Sequence, residues 1–211
     1  MLAGVPLASA QSSFDLNMGF GTARVGANGG GIDNANSLTN AFGPCVPGSG
    51  DPNCQTLPSL GGFFLGLGGD VMLHKHFGVG MEFNIQPAKS DYGPLQFRQL
   101  FYDVNGIYAP INEKRVQVQL QGGIGGARTS FSFTQNSCVG TAVCTTVTQP
   151  VGNASHFQLH VGFGVQLFVT ERVFIRPQFD LHYVPNLNRQ FGGNSVPGGS
   201  VWVGYSFGDR S

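Results

Sequence analysis

Along most of this chain a large apolar residue is followed by a small or polar one, with a period of two. Val116-Gln117-Val118-Gln119-Leu120-Gln121-Gly122-Gly123-Ile124-Gly125 shows it cleanly. So do Phe77-Gly78-Val79-Gly80-Met81-Glu82-Phe83-Asn84-Ile85-Gln86 and Phe157-Gln158-Leu159-His160-Val161-Gly162-Phe163-Gly164-Val165-Gln166-Leu167. Side chains of a strand point alternately to its two faces, so each segment carries one greasy face and one polar, glycine-rich face. The chain is therefore read as all-β, and the functional question is what each face meets.

Eight strands are predicted, near 14–24, 60–73, 77–86, 97–108, 116–133, 157–169, 174–184 and 200–207. Their connections alternate in length. Tight links fall at 74–76, 110–115 and 170–172, and long ones at 25–59, 87–96, 134–156 and 185–199. Such alternation along an even number of strands puts all short turns at one end and all long loops at the other. This is the layout of an antiparallel, up-and-down transmembrane β-barrel with short periplasmic turns and long extracellular loops.

Bulk properties agree. Only 10% of the 211 residues are charged, the formal net charge is zero, and no basic field advertises nucleic acid. No run of 18 apolar residues occurs and mean hydropathy is +0.01, which excludes a helical membrane protein but suits alternating strands. The first ten residues, ending Ala8-Ser9-Ala10, read as the remnant of a secretory signal peptide, with the barrel domain taking 11–211. Four cysteines form two close pairs, Cys45 with Cys54 and Cys138 with Cys144, each in a polar connection. Local disulfides in an oxidising exterior are the simplest reading; neither spacing suits a zinc site.

Volume assigns the faces. An eight-stranded barrel encloses little more than its own side chains, and roughly thirty large apolar groups would overfill it. The other face carries glycines such as Gly19, Gly66, Gly80 and Gly162 among Asn, Gln and Asp, which fit a narrow lumen. The greasy face therefore points outward to lipid. Tyr108, Phe77, Phe174, Tyr205 and Phe207 are placed at the turn-end border of this belt, and Phe97, Phe157 and Tyr183 at its loop-end border, as an aromatic girdle.

On these features the chain resembles the small eight-stranded outer-membrane barrels of Gram-negative bacteria, the OmpA-like and opacity-type group. The closing segment Val201-Trp202-Val203-Gly204-Tyr205-Ser206-Phe207 is similar to that family's C-terminal strand. The resemblance implies that Val203, Tyr205 and Phe207 form the signal read by the outer-membrane assembly machinery. It also implies residence among outer-membrane lipids with the loops extracellular. One departure is that four residues follow Phe207, where the family ends on the aromatic.

Inward parity places Asp15, Asp70, Glu82, Asp103, His160, Arg176, Asp180 and His182 in the lumen, with Trp202 near its loop-end mouth. Charges in so narrow a space must pair, hydrate or neutralise, so they read as a polar plug. Five acids against one arginine is an imbalance this reading leaves unplaced. No nucleophile motif accompanies the Asp/His group, and neither catalysis nor a cofactor or metal is expected. The Gly29–Gly31 run precedes no helix and is not a phosphate loop. The expected role is structural or surface-interacting, with a surface ligand or a second copy met through the loops or the apolar belt. A narrow pore is the alternative, and a soluble ligand-binding barrel a more distant one.

Overall fold

The computed structural model describes residues 13–26, 59–92, 95–139 and 143–208, and the side chains of these apart from 136–145. Nine strands form one antiparallel sheet: β1 (Ser13–Ala23), β2 (Phe63–His74), β3 (Phe77–Ile85), β4 (Ser90–Tyr92), β5 (Leu95–Asn112), β6 (Val116–Val139), β7 (Val143–Phe168), β8 (Val173–Tyr183) and β9 (Ser195–Phe207). Eight close into a ring in chain order, with β3 pairing β5 and β9 returning to β1. The closing register runs from Phe14 opposite Phe207 to Ala23 opposite Gly198. Short β4 lies outside the ring and pairs with the start of β5.

Alternation is obeyed around the ring. In β1, Phe14, Leu16, Met18 and Phe20 are 42–60% exposed, whereas Asp15 and Asn17 between them are buried. Outward rows of Leu65, Leu67, Val79, Met81, Phe83, Val104, Leu120, Ile124, Phe163 and Phe179 continue this belt. The sealed apolar interior that a soluble ligand-binding barrel would need fails on these side chains. Among the described residues the belt has no apolar partner, and lipid is the solvent that suits it.

Three sequence expectations need correction. The connection predicted over 134–156 is largely strand: β6 and β7 stay paired from Val116 opposite Leu167 to Val139 opposite Val143. Its Thr/Val-rich stretch, Thr145-Thr146-Val147-Thr148, has the β-branched composition that fits a pleated sheet, despite its polarity. Phe97 and Phe174 do not join the girdle; both are fully buried, because they share inward parity with Gln99 and Arg176. Trp202 lies not at the mouth but part-way down the lumen, opposite Gly19 in β1 and Arg176 in β8. Phe77, Tyr108, Tyr205, Phe207, Phe157 and Tyr183 do stand outward.

Candidate functional site

The lumen is layered. At the loop end, inward residues of the strands meet side chains from the connections in an apolar plug. Phe64, Phe97, Phe101 and Phe131 come from strands, Tyr92 from β4, and Leu187 and Phe191 from the connection between β8 and β9. That connection folds inward over a 3-10 turn, Leu187–Arg189. Tyr92 is the hub of the plug, with its ring 5.0 Å from Phe131, 5.7 Å from Phe191 and 6.0 Å from Phe97. Its hydroxyl donates to the Gln190 carbonyl at 2.7 Å, tying β4 to the inward-folded connection. Burial pushes the Tyr92 phenol well above its ordinary pKa, since the phenolate would lose its hydration.

Below the plug lies a polar layer centred on Arg176 of β8, which is 0% exposed. Its guanidinium donates to Asp70 Oδ2 at 2.6 Å, to Glu82 Oε1 at 2.9 Å and to Gln119 Oε1 at 2.9 Å. The guanidinium carbon also lies 5.4 Å from the Trp202 ring centroid, within cation–π range. Gln178 Nε2 bridges Glu82, at 3.0 Å to Oε2, and Asp180, at 2.7 Å to Oδ1. His160 lies between Asn105 Oδ1, 2.8 Å from Nδ1, and Asp180 Oδ1, 3.0 Å from Nε2. His182 stacks between His160 and Phe101, with centroids 4.8 and 4.7 Å away, joining the polar layer to the plug. Gln158 donates to Asp103, and Gln166 to Asp15.

Glycines make room for these groups. A Cβ on Gly19 would meet the Trp202 indole at 2.5 Å, and one on Gly66 would also run into that ring. At the turn end the lumen is closed again by Met72, Ile107 and Ala109, and by Phe174 seated over Gly204.

All eight charged residues assigned to the lumen are buried there. Asp70, Glu82, Asp103, His160, Arg176, Asp180 and His182 lie in one connected cluster, and Asp15 joins through Gln166 and Gln119. Sequence reasoning missed the glutamines that stitch them together and the whole apolar plug. The signal for the plug was inward parity at Phe97, Phe101 and Phe131, next to the loop ends. Val203, Tyr205 and Phe207 stand on the outer surface of β9. Cys45 and Cys54 lie outside the described residues. Cys138 and Cys144 face each other across the β6–β7 ladder, as a matter of backbone register.

By structure, the chain is similar to Ail, the attachment invasion locus protein of Yersinia pestis, in complex with the heparin analogue sucrose octasulfate. The TM-score is 0.53 at 14% identity, over 93% of this chain and 99% of that one. It is also similar to Neisserial surface protein A, with TM-score 0.51, 15% identity and 93% and 98% coverage. A third likeness is to the outer membrane protein OprG from Pseudomonas aeruginosa, at TM-score 0.50, 15% identity and 94% and 97% coverage. The fold is that of a small outer-membrane β-barrel. No family model matches the chain, and no curated protein matches its sequence. In this barrel a continuous aqueous path would have to cross the plug, the Arg176–Trp202 layer and the turn-end closure in series.

Proposed function

We propose that this barrel resides in the outer membrane of a Gram-negative bacterium and acts as a structural, surface-interacting protein. The observation that carries this is the doubly capped lumen. With its bore filled, the parts left to meet other molecules are the belt and the elements above it. The β6–β7 hairpin favours contact at the cell surface. Its strands have 24 and 26 residues, against 11 and 13 in β8 and β9. A tilted strand needs only ~9–11 to cross the bilayer. At ~3.3 Å per residue and a tilt of ~45°, a surplus of about 13 residues lifts its tip on the order of 30 Å above the belt. The exposed stretch 146–150 lies on that projection.

A Cys138–Cys144 disulfide would lock the tip. Directly opposed residues of an antiparallel pair have Cα atoms ~4.5–5.5 Å apart, inside the range a disulfide spans. Cys45–Cys54 would clamp the first long loop in the same way. Val203, Tyr205 and Phe207 serve as the assembly signal for insertion from the periplasm. Ail and Neisserial surface protein A are called attachment and surface proteins, which accords with this reading.

The test is reconstitution in planar lipid bilayers, together with thiol counting under non-reducing conditions. The barrel should give no current above the lipid baseline and no reactive thiol in the folded state. Sustained single-channel steps would replace this reading with the pore.

A further inference from the structure

The carboxylate excess and the geometry around His160 together point to a ligand in the lumen. Among the described residues, Asp15, Asp70, Glu82, Asp103 and Asp180 face a single guanidinium. Even with both imidazoles protonated, the carboxylates outnumber the cations by two. A low-dielectric bore does not tolerate uncompensated charge. We propose that Glu82, His160 and Asp180 bind one first-row divalent cation of the zinc class in the lumen of this barrel.

Four observations support the site. One ligand atom from each of the three residues lies within 4.8 Å of the others, and all three are buried. One nitrogen and two carboxylate oxygens form a donor set that zinc and its neighbours accept; roughly an ångström of movement per side chain would bring them to tetrahedral spacing. His160 is oriented as a ligand: its Nδ1 faces Asn105 Oδ1 at 2.8 Å and Asp103 Oδ1 at 3.3 Å, which leaves Nε2 toward Asp180. A carboxylate or amide behind a histidine is the usual outer shell of a metal-bound imidazole.

A cavity of about 20 Å³ adjoins Asp180 and is lined also by His182, Asn84 and Ser200. That is room for one water beside Asp180, which is the one proposed ligand that lines the cavity. His182, itself buried, lines that cavity and its Nδ1 has no hydrogen-bond partner among the described residues. At present the Gln178 amide occupies the gap between Glu82 and Asp180, where the partial positive charge of its NH2 does weakly what a divalent ion would do fully.

The barrel carries its own reporter. Its one tryptophan, Trp202, donates through Nε1 to Ser200 Oγ at 2.9 Å, and Ser200 Oγ donates to Asp180 Oδ2 at 3.3 Å. The full chain is folded in detergent micelles after chelation, with Zn2+ added either before or after folding, because both ends of the lumen are capped. Folding is verified by the difference in gel migration between boiled and unboiled samples. We expect about one Zn2+ per barrel after desalting, and a shift in Trp202 emission, in at least one arm. Glu82→Gln and Asp180→Asn should each weaken binding on the order of tenfold or more, as should Asn105→Ala behind the imidazole.

His74→Ala with His76→Ala removes the two histidines of a short turn and should leave both readouts unchanged. Absence of retained metal in both arms overturns the proposal. So does unchanged stoichiometry in folded Glu82→Gln and Asp180→Asn, and so does loss of binding in the turn variant. An emission shift that follows pH but not Zn2+ also overturns it, and assigns the neutralisation to protons.

Discussion

The apolar plug and the polar layer fill the same cylinder a few ångströms apart, yet they are held together by opposite physics. In the plug, Tyr92, Phe97, Phe131 and Phe191 pack ring against ring, and each contact contributes on its own. In the polar layer, the groups are stabilised only as a set. Arg176 is acceptable in the bore because Asp70 and Glu82 accept from it, and those carboxylates are acceptable because Arg176 donates. Hydrophobic contacts degrade gradually when one is lost, whereas a buried ionic network fails when one member leaves. The two layers therefore differ in how they respond to single and paired substitutions.

The largest effect follows from that contrast. Arg176→Met should lower the unfolding free energy of the barrel by about 3–5 kcal/mol, because it leaves buried carboxylates without a cation. Urea titration in lipid vesicles, followed by Trp202 emission, measures it. Adding Glu82→Gln to Arg176→Met should recover part of the loss, so that the double variant is more stable than the single. Purely additive losses would break the distinction between the layers.

Both layers count as interior only if the opposite face belongs to lipid. Leu120, 45% exposed and five residues into β6 from its turn end, provides the reference. Leu120→Arg should cost about 2–4 kcal/mol in the same vesicle assay if the site lies near mid-bilayer. Wild-type stability would mean that the belt does not face hydrocarbon.

The polar layer was legible in the sequence because a strand period of two fixes the direction of every side chain once one face is assigned. Asp70, Glu82, Arg176 and Asp180 could be placed in the bore by counting. The ring of eight strands came from the same source, through the spacing of the turns. The plug was harder to read. Tyr92, Leu187 and Phe191 come from connections, where no period predicts direction, and Phe97 and Phe131 are apolar on the face reserved for polar groups. An aromatic near a strand end serves a girdle and a plug equally well by composition, and only parity separates them. The β6–β7 hairpin was missed because polar, threonine-rich segments resemble loops when hydropathy is the guide, although their β-branched side chains favour extended backbone.

A milder substitution probes the gradual behaviour expected of the plug. Phe191→Leu keeps most of the buried hydrocarbon but removes ring contacts with Tyr92 at 5.7 Å and Phe97 at 5.1 Å. The expected loss is about 1–1.5 kcal/mol in urea. Planar-bilayer current should remain at baseline, since the Arg176 layer still closes the bore beneath. Current in this variant would show the polar layer to be permeable, and the plug to be the sole barrier.

The smallest effect carries the most specific signature. Tyr92→Phe removes the hydrogen bond to the Gln190 carbonyl while keeping the ring, and should cost about 1 kcal/mol at neutral pH. Its pH dependence has a definite sign. Burial raises the folded-state pKa of this phenol, so the unfolded chain ionises first as pH climbs. The contribution of Tyr92 is whole below the ordinary tyrosine value of ~10 and is lost as pH rises from there toward the folded pKa. Wild type should therefore lose its advantage over Tyr92→Phe in strongly alkaline solution, and the two unfolding midpoints should converge or cross. Parallel pH profiles would mean that the hydroxyl reaches water through the plug, and that the layer above Arg176 is not sealed.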